Sequence, residues 1–193
     1  MTATPTPPIT TWGNSRTGAS FPWGNRLGRL LWGVVWLLLL RPSPRPLHGW
    51  RAFWLRAFGA KLGRRVHIYP GARVWAPWNL VCGDDVGVAD GVILYNQGPI
   101  TLGARTVVSQ GAHLCTGTHD FNDPGFPLQT RPITAGEDVW LAAECFVQPG
   151  VTIADGSVIG ARSVLTKSTE SWTVYAGNPA RAIKRRDARG GTE

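Results

Sequence analysis

From residue 62 onward, apolar residues return every six positions. The anchors run Leu62, Ile68, Val74, Leu80; then Cys82, Val88, Leu94, Ile100; then Leu102, Val108, Leu114; and finally Ala135, Leu141, Val147, Ile153, Ile159, Leu165. Two-residue insertions after Leu80 and Ile100 reset the register. Four places after an anchor the side chain is usually small or β-branched, as at Val66, Ala72, Val86, Val92, Thr106, Ala112, Thr118, Val139, Cys145, Val151, Ser157 and Ser163. An α-helix, whose period is about 3.6, would spread such anchors around its circumference. Short strands joined by corners keep them on one interior line, so the pattern predicts a parallel β-solenoid over 62–175. Glycine often follows the anchor, at Gly63, Gly83, Gly103, Gly136 and Gly160, and is expected to supply corner dihedrals that a side chain disfavours. Ala135 is small for its place and weakens one rung, while Tyr69, Trp75 and Tyr95 follow anchors directly, where they suit subunit contacts.

The front of the chain has a different pattern. Residues 1–20 are polar and rich in Pro and Thr, which predicts a flexible segment, and residues 21–61 form a basic, Trp-rich helical extension. Its uninterrupted apolar run, Leu30 to Leu40, is eleven residues, short of the ~20 that cross a bilayer as a helix. RPSPRP at 41–46 stands where a signal peptide would need small residues for cleavage, so export is disfavoured. A second stretch, 49–63, places Trp50, Phe53, Trp54, Ala57 and Phe58 on one helical face. Two readings of these helices stand side by side: packing on the end of the solenoid, or contact with a membrane surface.

Composition sharpens this picture. With 193 residues, 43% hydrophobic, the chain suits one core with extensions, and its 24 Gly and 15 Pro exclude long helical bundles. Residues 1–83 carry 11 Lys and Arg, no Asp or Glu, and eight of the ten Trp, whereas 84–193 carry 9 basic and 12 acidic residues. Indoles beside cations suit an anionic membrane surface, and no nucleic-acid-binding signature accompanies the charge. Cys82, Cys115 and Cys145 are odd in number and set among aliphatic residues, which reads as reduced thiols in a cytoplasmic protein. Cys115, four residues before His119, is a minor candidate nucleophile.

Between Leu114 and Ala135 the rhythm breaks into an excursion over 119–134 that opens on Thr118-His119-Asp120. Loops leaving a rigid scaffold commonly hold sites. His119 falls on the last position of its repeat and faces outward, and an imidazole is suited to taking the proton from an attacking hydroxyl. The competing role is a structural hydrogen bond at a corner. His113, one repeat earlier, belongs to a different face and is not expected to assist.

The repeat matches the unit [LIV]-[GAED]-x-x-[STAV]-x, and the chain contains LRPSPRPLHGW, IYPGARVWAPWNL, LYNQGPITLG, LCTGTHD and VYAGNPARAIK. On these segments it resembles the hexapeptide-repeat acyltransferases, in particular those of colanic-acid-type exopolysaccharide synthesis, and more distantly the maltose and galactoside O-acetyltransferases. The resemblance implies a left-handed parallel β-helix, acetyl coenzyme A as acyl donor, a sugar acceptor, and a homotrimer with sites between subunits; the basic, Trp-rich front, docked at a cytoplasmic leaflet, would present the site to a lipid-linked sugar in exopolysaccharide assembly. It implies direct transfer with His119 as general base and main-chain N–H groups near the coenzyme holding the oxyanion. Asn96 matches a substrate-contacting asparagine, with a turn-forming role as its rival. Asp120 is a candidate to orient His119, against the commoner role of a local cap. Trp140 matches the residue lining the coenzyme groove; Ala143 and Ala161 match main-chain contacts to the pantetheine arm; Thr166, Lys167, Arg181 and Lys184 match positions near the nucleotide phosphates. For the four basic or polar residues the rival role is a solvated surface. The segment 176–193, beginning AGNPAR, is expected to reverse the chain beside the coenzyme groove and to end in a short helix or basic tail.

Three alternatives remain open at this level. A zinc hydratase of the γ-carbonic-anhydrase type uses the same solenoid with three histidines, and this chain has His48, His67, His113 and His119 to offer. The acetyltransferase reading expects no metal. A non-enzymatic solenoid that binds a partner or membrane is the second, and transfer of a larger acyl group is the third.

Overall fold

The computed structural model describes residues 8–13, 16 and 18–187. Residues 62–175 wind into a three-sided prism whose faces are parallel sheets. The first face stacks Lys61–Leu62, Leu80–Cys82, Ile100–Leu102, Ile133–Ala135 and Thr152–Ile153. His67–Ile68, Gly87–Val88, Val107–Val108, Trp140–Leu141 and Val158–Ile159 make the second face, and Arg73–Val74, Ile93–Tyr95, His113–Cys115, Phe146–Val147 and Val164–Leu165 the third. The six-residue beat is one face per repeat, and anchors meet in register, with Leu94 between Val74 and Leu114. All are buried except half-buried Leu62. The two-residue insertions lengthen first-face strands, so that Leu80 and Cys82, and likewise Ile100 and Leu102, both point inward. Ile133 joins Ala135 in the same way, which fills the rung that alanine alone would leave thin.

The glycines after the anchors have a different cause from the one expected. None of Gly63, Gly83, Gly103, Gly136 and Gly160 has a positive φ. A Cβ on Gly83 would lie 2.7 Å from the Ala104 nitrogen, and one on Gly103 would collide with the Gly136 backbone. Close approach of successive coils is therefore what excludes a side chain. The left-handed corner between first and second faces is held instead by Arg65, Asp85, Arg105 and Asp138, with φ of 52°, 60°, 60° and 55°. Their side chains alternate in sign: Arg65 pairs with Asp85 at 2.5 Å and Arg105 with Asp138 at 2.9 Å. The hydrogen bond from the Arg65 guanidinium is the main reason the Asp85 carboxyl sits below its usual range.

The helical extension closes the front of the prism. Helix α1 spans Trp23–Val35 and widens into a π turn over Trp36–Leu40, where the Arg41 N–H donates to the Trp36 carbonyl at 2.9 Å. Helix α2 spans His48–Ala57. First-coil carbonyls that face the open end are met by side chains from this extension. The Trp32 and Trp36 indoles donate to the carbonyls of Val74 and Ala72 at 2.7 and 2.9 Å, and Arg51 donates to that of Ile68 at 2.5 Å. Arg51 is fully buried without a carboxylate, its guanidinium shared among Ile68, Ser43, Pro44 and Arg45 oxygens and the His48 ring. Packing on the solenoid is thus what the extension does, although the most deeply buried residues of α2 are Arg51, Ala52 and Leu55; of the aromatic face anticipated, Trp54 and Phe58 pack against the core while Phe53 and Trp50 stay exposed.

Two further expectations change. The flexibility expected for 1–20 falls partly outside the described residues; within it, Thr10–Thr11 is a strand paired with Gln129–Thr130, and Trp12 donates its N–H to the Leu128 carbonyl at 2.8 Å. After the last coil, Thr173–Gly177 and Ala180–Arg185 form an antiparallel hairpin, so the reversal at AGNPAR is made of strands, not a helix, and any tail beyond Asp187 lies outside the described residues. Arg186 ties this hairpin down by donating to the Asp138 and Gly156 carbonyls, both at 2.8 Å.

Glycine substitutions separate the two causes. Gly83→Ala is expected to cost about 1–3 kcal/mol by overpacking. Gly87, with open space at its Cβ position and no positive φ, is expected to accept alanine with a gain of about 0.4–1 kcal/mol. Urea unfolding of both variants measures the difference.

Candidate active site

The excursion is a β-hairpin. Gly117–His119 pairs antiparallel with Leu128–Thr130, and Thr10–Thr11 adds a third strand on the outer edge. The N-terminal strand is anchored by the Trp12 indole, which donates to the Thr130 hydroxyl at 3.1 Å and packs on Phe21. At the tip, Asp120 and Asp123 carboxylates accept from the N–H groups of Asn122 and Gly125 at 3.1 and 2.7 Å, turning the chain so that Phe126 comes back over His119. The two rings stack with centroids 4.3 Å apart and planes 9° apart.

His119 Nδ1 lies 3.1 Å from the Phe126 carbonyl oxygen. A carbonyl only accepts, so Nδ1 carries the hydrogen, and Nε2 of the neutral ring keeps its lone pair. The ring is therefore fixed in position and tautomer, with its basic nitrogen opposite the holding contact. It lines a depression of about 480 Å³ together with Ile9, Asp120, Gln129, Arg131 and Gln148. Asp120 does not orient the histidine: its oxygens accept from the Asn122 N–H and, at 3.3 Å, the Gln129 amide. The Phe126 carbonyl takes that task, and the turn-forming DPG at 123–125 was the one sequence signal for it.

Asn96 is fully buried. Its amide oxygen accepts from the N–H groups of Trp75 and Ala76, both at 3.0 Å, and its amide nitrogen donates to the Ala76 carbonyl at 2.6 Å. The side chain serves the chain turn between coils, the rival role set out above. Trp140 stands on the second face, 48% exposed, between Val107 and Val158, and its indole donates to the Ser109 hydroxyl at 2.9 Å. Ala143 and Ala161 occupy the corner between second and third faces one coil apart, the Ala143 carbonyl accepting from the Arg162 N–H at 2.9 Å. Arg181 and Lys184 extend from the final strand of the second-face sheet, both exposed. Thr166 and Lys167 follow the last third-face strand, along the same prism edge as the His119 excursion and two coils beyond it. The chain thus gathers Trp140, Ala143, Ala161, Arg181 and Lys184 on one side of the third face and His119 with Thr166 and Lys167 on the other. Trp140 shares no wall of the depression with His119.

The other candidate groups separate from the site. His48 stacks on His67 with centroids 4.5 Å apart, and His113 lies on the third face between Tyr95 and Phe146, where burial lowers its pKa. Among the described residues no three His, Cys, Asp or Glu side chains converge as a metal site.

No family model matches the chain. Over 166 residues it is 47% identical to WcaF of Escherichia coli (strain K12), provisionally named a colanic acid biosynthesis acetyltransferase, covering 86% of this chain and 91% of that protein. The galactoside O-acetyltransferase of the same organism is 36% identical over 124 residues, 63% of this chain and 55% of that protein. A hexapeptide-repeat acetyltransferase from Vibrio cholerae, solved with acetyl coenzyme A, has the same fold, with a TM-score of 0.77 at 23% identity over 84% of this chain and 89% of that one. The prism is thus the left-handed β-helix of acyl transfer enzymes, and the chain belongs to the hexapeptide-repeat acetyltransferase family. Within it, the match to WcaF spans nearly the full length of both proteins.

None of the three thiols lines the His119 depression. Burial pushes Cys82 and Cys145 up to about 12, and it raises Cys115 against the opposing hydrogen bond to the Gly117 carbonyl. Cys115 is therefore a protonated thiol and not a nucleophile at neutral pH. An unfolded thiol titrates near 9.0, so the unfolded chain releases these protons first. Stability present below pH 9.0 is expected to fall as pH rises toward about 12, and Cys145→Ala to flatten that fall in urea midpoints measured against pH.

Proposed function

We propose that this protein transfers an acetyl group from acetyl coenzyme A directly to a sugar hydroxyl, in exopolysaccharide or surface-glycan synthesis, with His119 as general base. The observation that carries this reading is the locked imidazole, whose Nδ1 is held by the Phe126 carbonyl while Nε2 stays basic. The acceptor O–H gives its proton to Nε2 as the oxygen attacks the thioester carbonyl. Collapse of the tetrahedral species breaks the carbon–sulfur bond, and the imidazolium returns the proton to the departing coenzyme thiolate. No acetyl-enzyme is formed. The polar wall offered by Asp120, Gln129 and Gln148 suits a ring bearing several hydroxyls.

Coenzyme binding falls to Trp140, Ala143 and Ala161 for the pantetheine arm and to Thr166, Lys167, Arg181 and Lys184 for the phosphates. That a structure of the same fold from Vibrio cholerae was solved with acetyl coenzyme A supports the choice of acyl donor. Because Trp140 and His119 lie on opposite sides of the third face, one chain does not assemble the site alone, and a homotrimer that brings a neighbour's second face to His119 does. Asn96 has no place in the acceptor site, being buried and committed to the turn.

His119→Ala is expected to lower kcat about 10²–10⁴-fold with little change in KM for acetyl coenzyme A. Trp140→Ala is expected to raise that KM instead. Thiol release and acetyl transfer, followed on a panel of nucleotide sugars, lipid-linked sugars and glycosides, separate the two effects. A parental rate in His119→Ala would end the mechanism.

The extension supports docking on the inner face of an anionic membrane. Helix α1 and its π turn present Trp23, Leu27, Leu30, Val34, Leu37 and Leu38 outward, each 49–77% exposed, while Trp32 and Trp36 face the prism. Arg26 and Arg41 flank the two ends of this stripe. No helix among the described residues is long and apolar enough to cross a membrane, so the stripe would lie in the interface. Leu30→Glu with Leu37→Glu, which leaves the core side of α1 intact, is expected to cut co-sedimentation with phosphatidylglycerol vesicles more than about tenfold. Equal sedimentation of both proteins would refute docking through this face; a change in oligomeric mass without vesicle binding would assign the stripe to a second copy.

A further inference from the structure

Arg131 stands apart from the other arginines. Arg45, Arg64, Arg65, Arg105 and Arg162 each have a carboxylate within 3.0 Å. Buried Arg51 is fully engaged by carbonyl and hydroxyl oxygens. The Arg131 Nε is also buried, yet it has no hydrogen-bond partner, and no ion pair among the described residues includes this side chain.

Its backbone is held on every side. The Arg131 N–H donates to the Thr116 carbonyl at 2.9 Å, Thr130 pairs with both Gly117 and Thr10, and beyond Pro132 the Ile133 N–H donates to the Pro99 carbonyl at 3.0 Å. The side chain thus leaves from the base of the excursion hairpin, where the scaffold is rigid, and lines the His119 depression. Asp120 is the one acidic residue on that wall, and among the described residues it makes no ion pair with Arg131; its oxygens accept from the Asn122 N–H and the Gln129 amide.

The two terminal Nη groups of a guanidinium present parallel N–H donors, a fork that matches two oxygens of one carboxylate or phosphate. A single hydroxyl oxygen matches it poorly. A half-buried guanidinium that lines the site without a carboxylate partner points to an anion that arrives with the substrate.

We propose that Arg131 recognises an oxyanion on the acceptor, so that the acetylated sugar carries a carboxylate or phosphate beside the hydroxyl that His119 deprotonates. This rests on the acyl-transfer reading above for the role of the depression, but it concerns binding and is tested by binding. Isothermal titration of the full chain, saturated with coenzyme A, is made with methyl glucuronide, glucose 1-phosphate and neutral methyl glucoside. One of the two anions is expected to bind at least about tenfold more tightly than the glucoside, a difference of about 1.4 kcal/mol. Whichever anion shows it identifies the carboxylate or the phosphate.

In Arg131→Gln the ratio of anion to glucoside affinity is expected to fall to about one, and Arg131→Lys, which keeps the charge but not the fork, to retain an intermediate ratio. Circular dichroism confirms that each variant is folded, and the lysine variant carries the test should the glutamine variant not be. The proposal is overturned if neither anion binds better than the glucoside in the parent, or if the preference survives in Arg131→Gln. His119→Ala keeps the two questions apart: it is expected to retain the anion preference while losing transfer. Transfer at the parental rate in that variant would remove the base and leave the anion site standing.

Discussion

A coil in a parallel solenoid has only two partners for its backbone, the coil before and the coil after. Ladder bonds run along the axis, as from His67 N–H to Val86 carbonyl and from Gly87 N–H to Thr106 carbonyl, at 2.8 and 3.0 Å. The first coil has no predecessor, and its carbonyls at Ile68, Ala72 and Val74 would face solvent or a second sheet edge. This chain closes them with an arginine and two indoles from a helical extension that the repeat itself does not contain. The far end is closed by hydroxyls, Ser168 and Thr169 accepting from the N–H groups of Thr152 and Ala154, and by the final hairpin. The extension is thus part of the fold, and its outward leucines are a second, separate property of the same helix.

The same constraint explains how a site arises on so regular a body. A ladder that engages each strand on both sides leaves little room for a side chain to move, and chemistry appears where the chain leaves the ladder and rejoins it. The hairpin at 117–130 does so at the third-to-first corner between Cys115 and Ile133, and the strand Thr10–Thr11 stiffens its outer edge. A base held by a main-chain carbonyl and a flat aromatic ring is oriented by groups whose own positions the hairpin fixes.

The solenoid was legible because a period of six has one structural meaning over a hundred residues. The reason for its glycines was not, since the contact that excludes a Cβ at Gly83 comes from Ala104, twenty-one residues later and one coil away. The face of α2 was misread because Arg51, polar in any pattern, is fully buried once Ile68, Pro44 and Arg45 carbonyls surround it. Thr10–Thr11 is too short to register as a strand until the hairpin it joins exists. His119 was legible as the residue at which the rhythm breaks. Its holder Phe126 and the unmatched Arg131 become visible only when the excursion has folded back, because neither carries a spacing of its own.

The column of Arg65, Asp85, Arg105 and Asp138 has a consequence for how such a protein lengthens or shortens. Opposite charges alternate from coil to coil, so excising a single coil, residues 80–99 for instance, would set Arg65 against Arg105. Duplicating one would stack two acids or two bases. Duplication or loss in pairs restores the alternation, and this edge of the prism therefore counts in twos, a parity rule written in side-chain charge along a body whose backbone is indifferent to number.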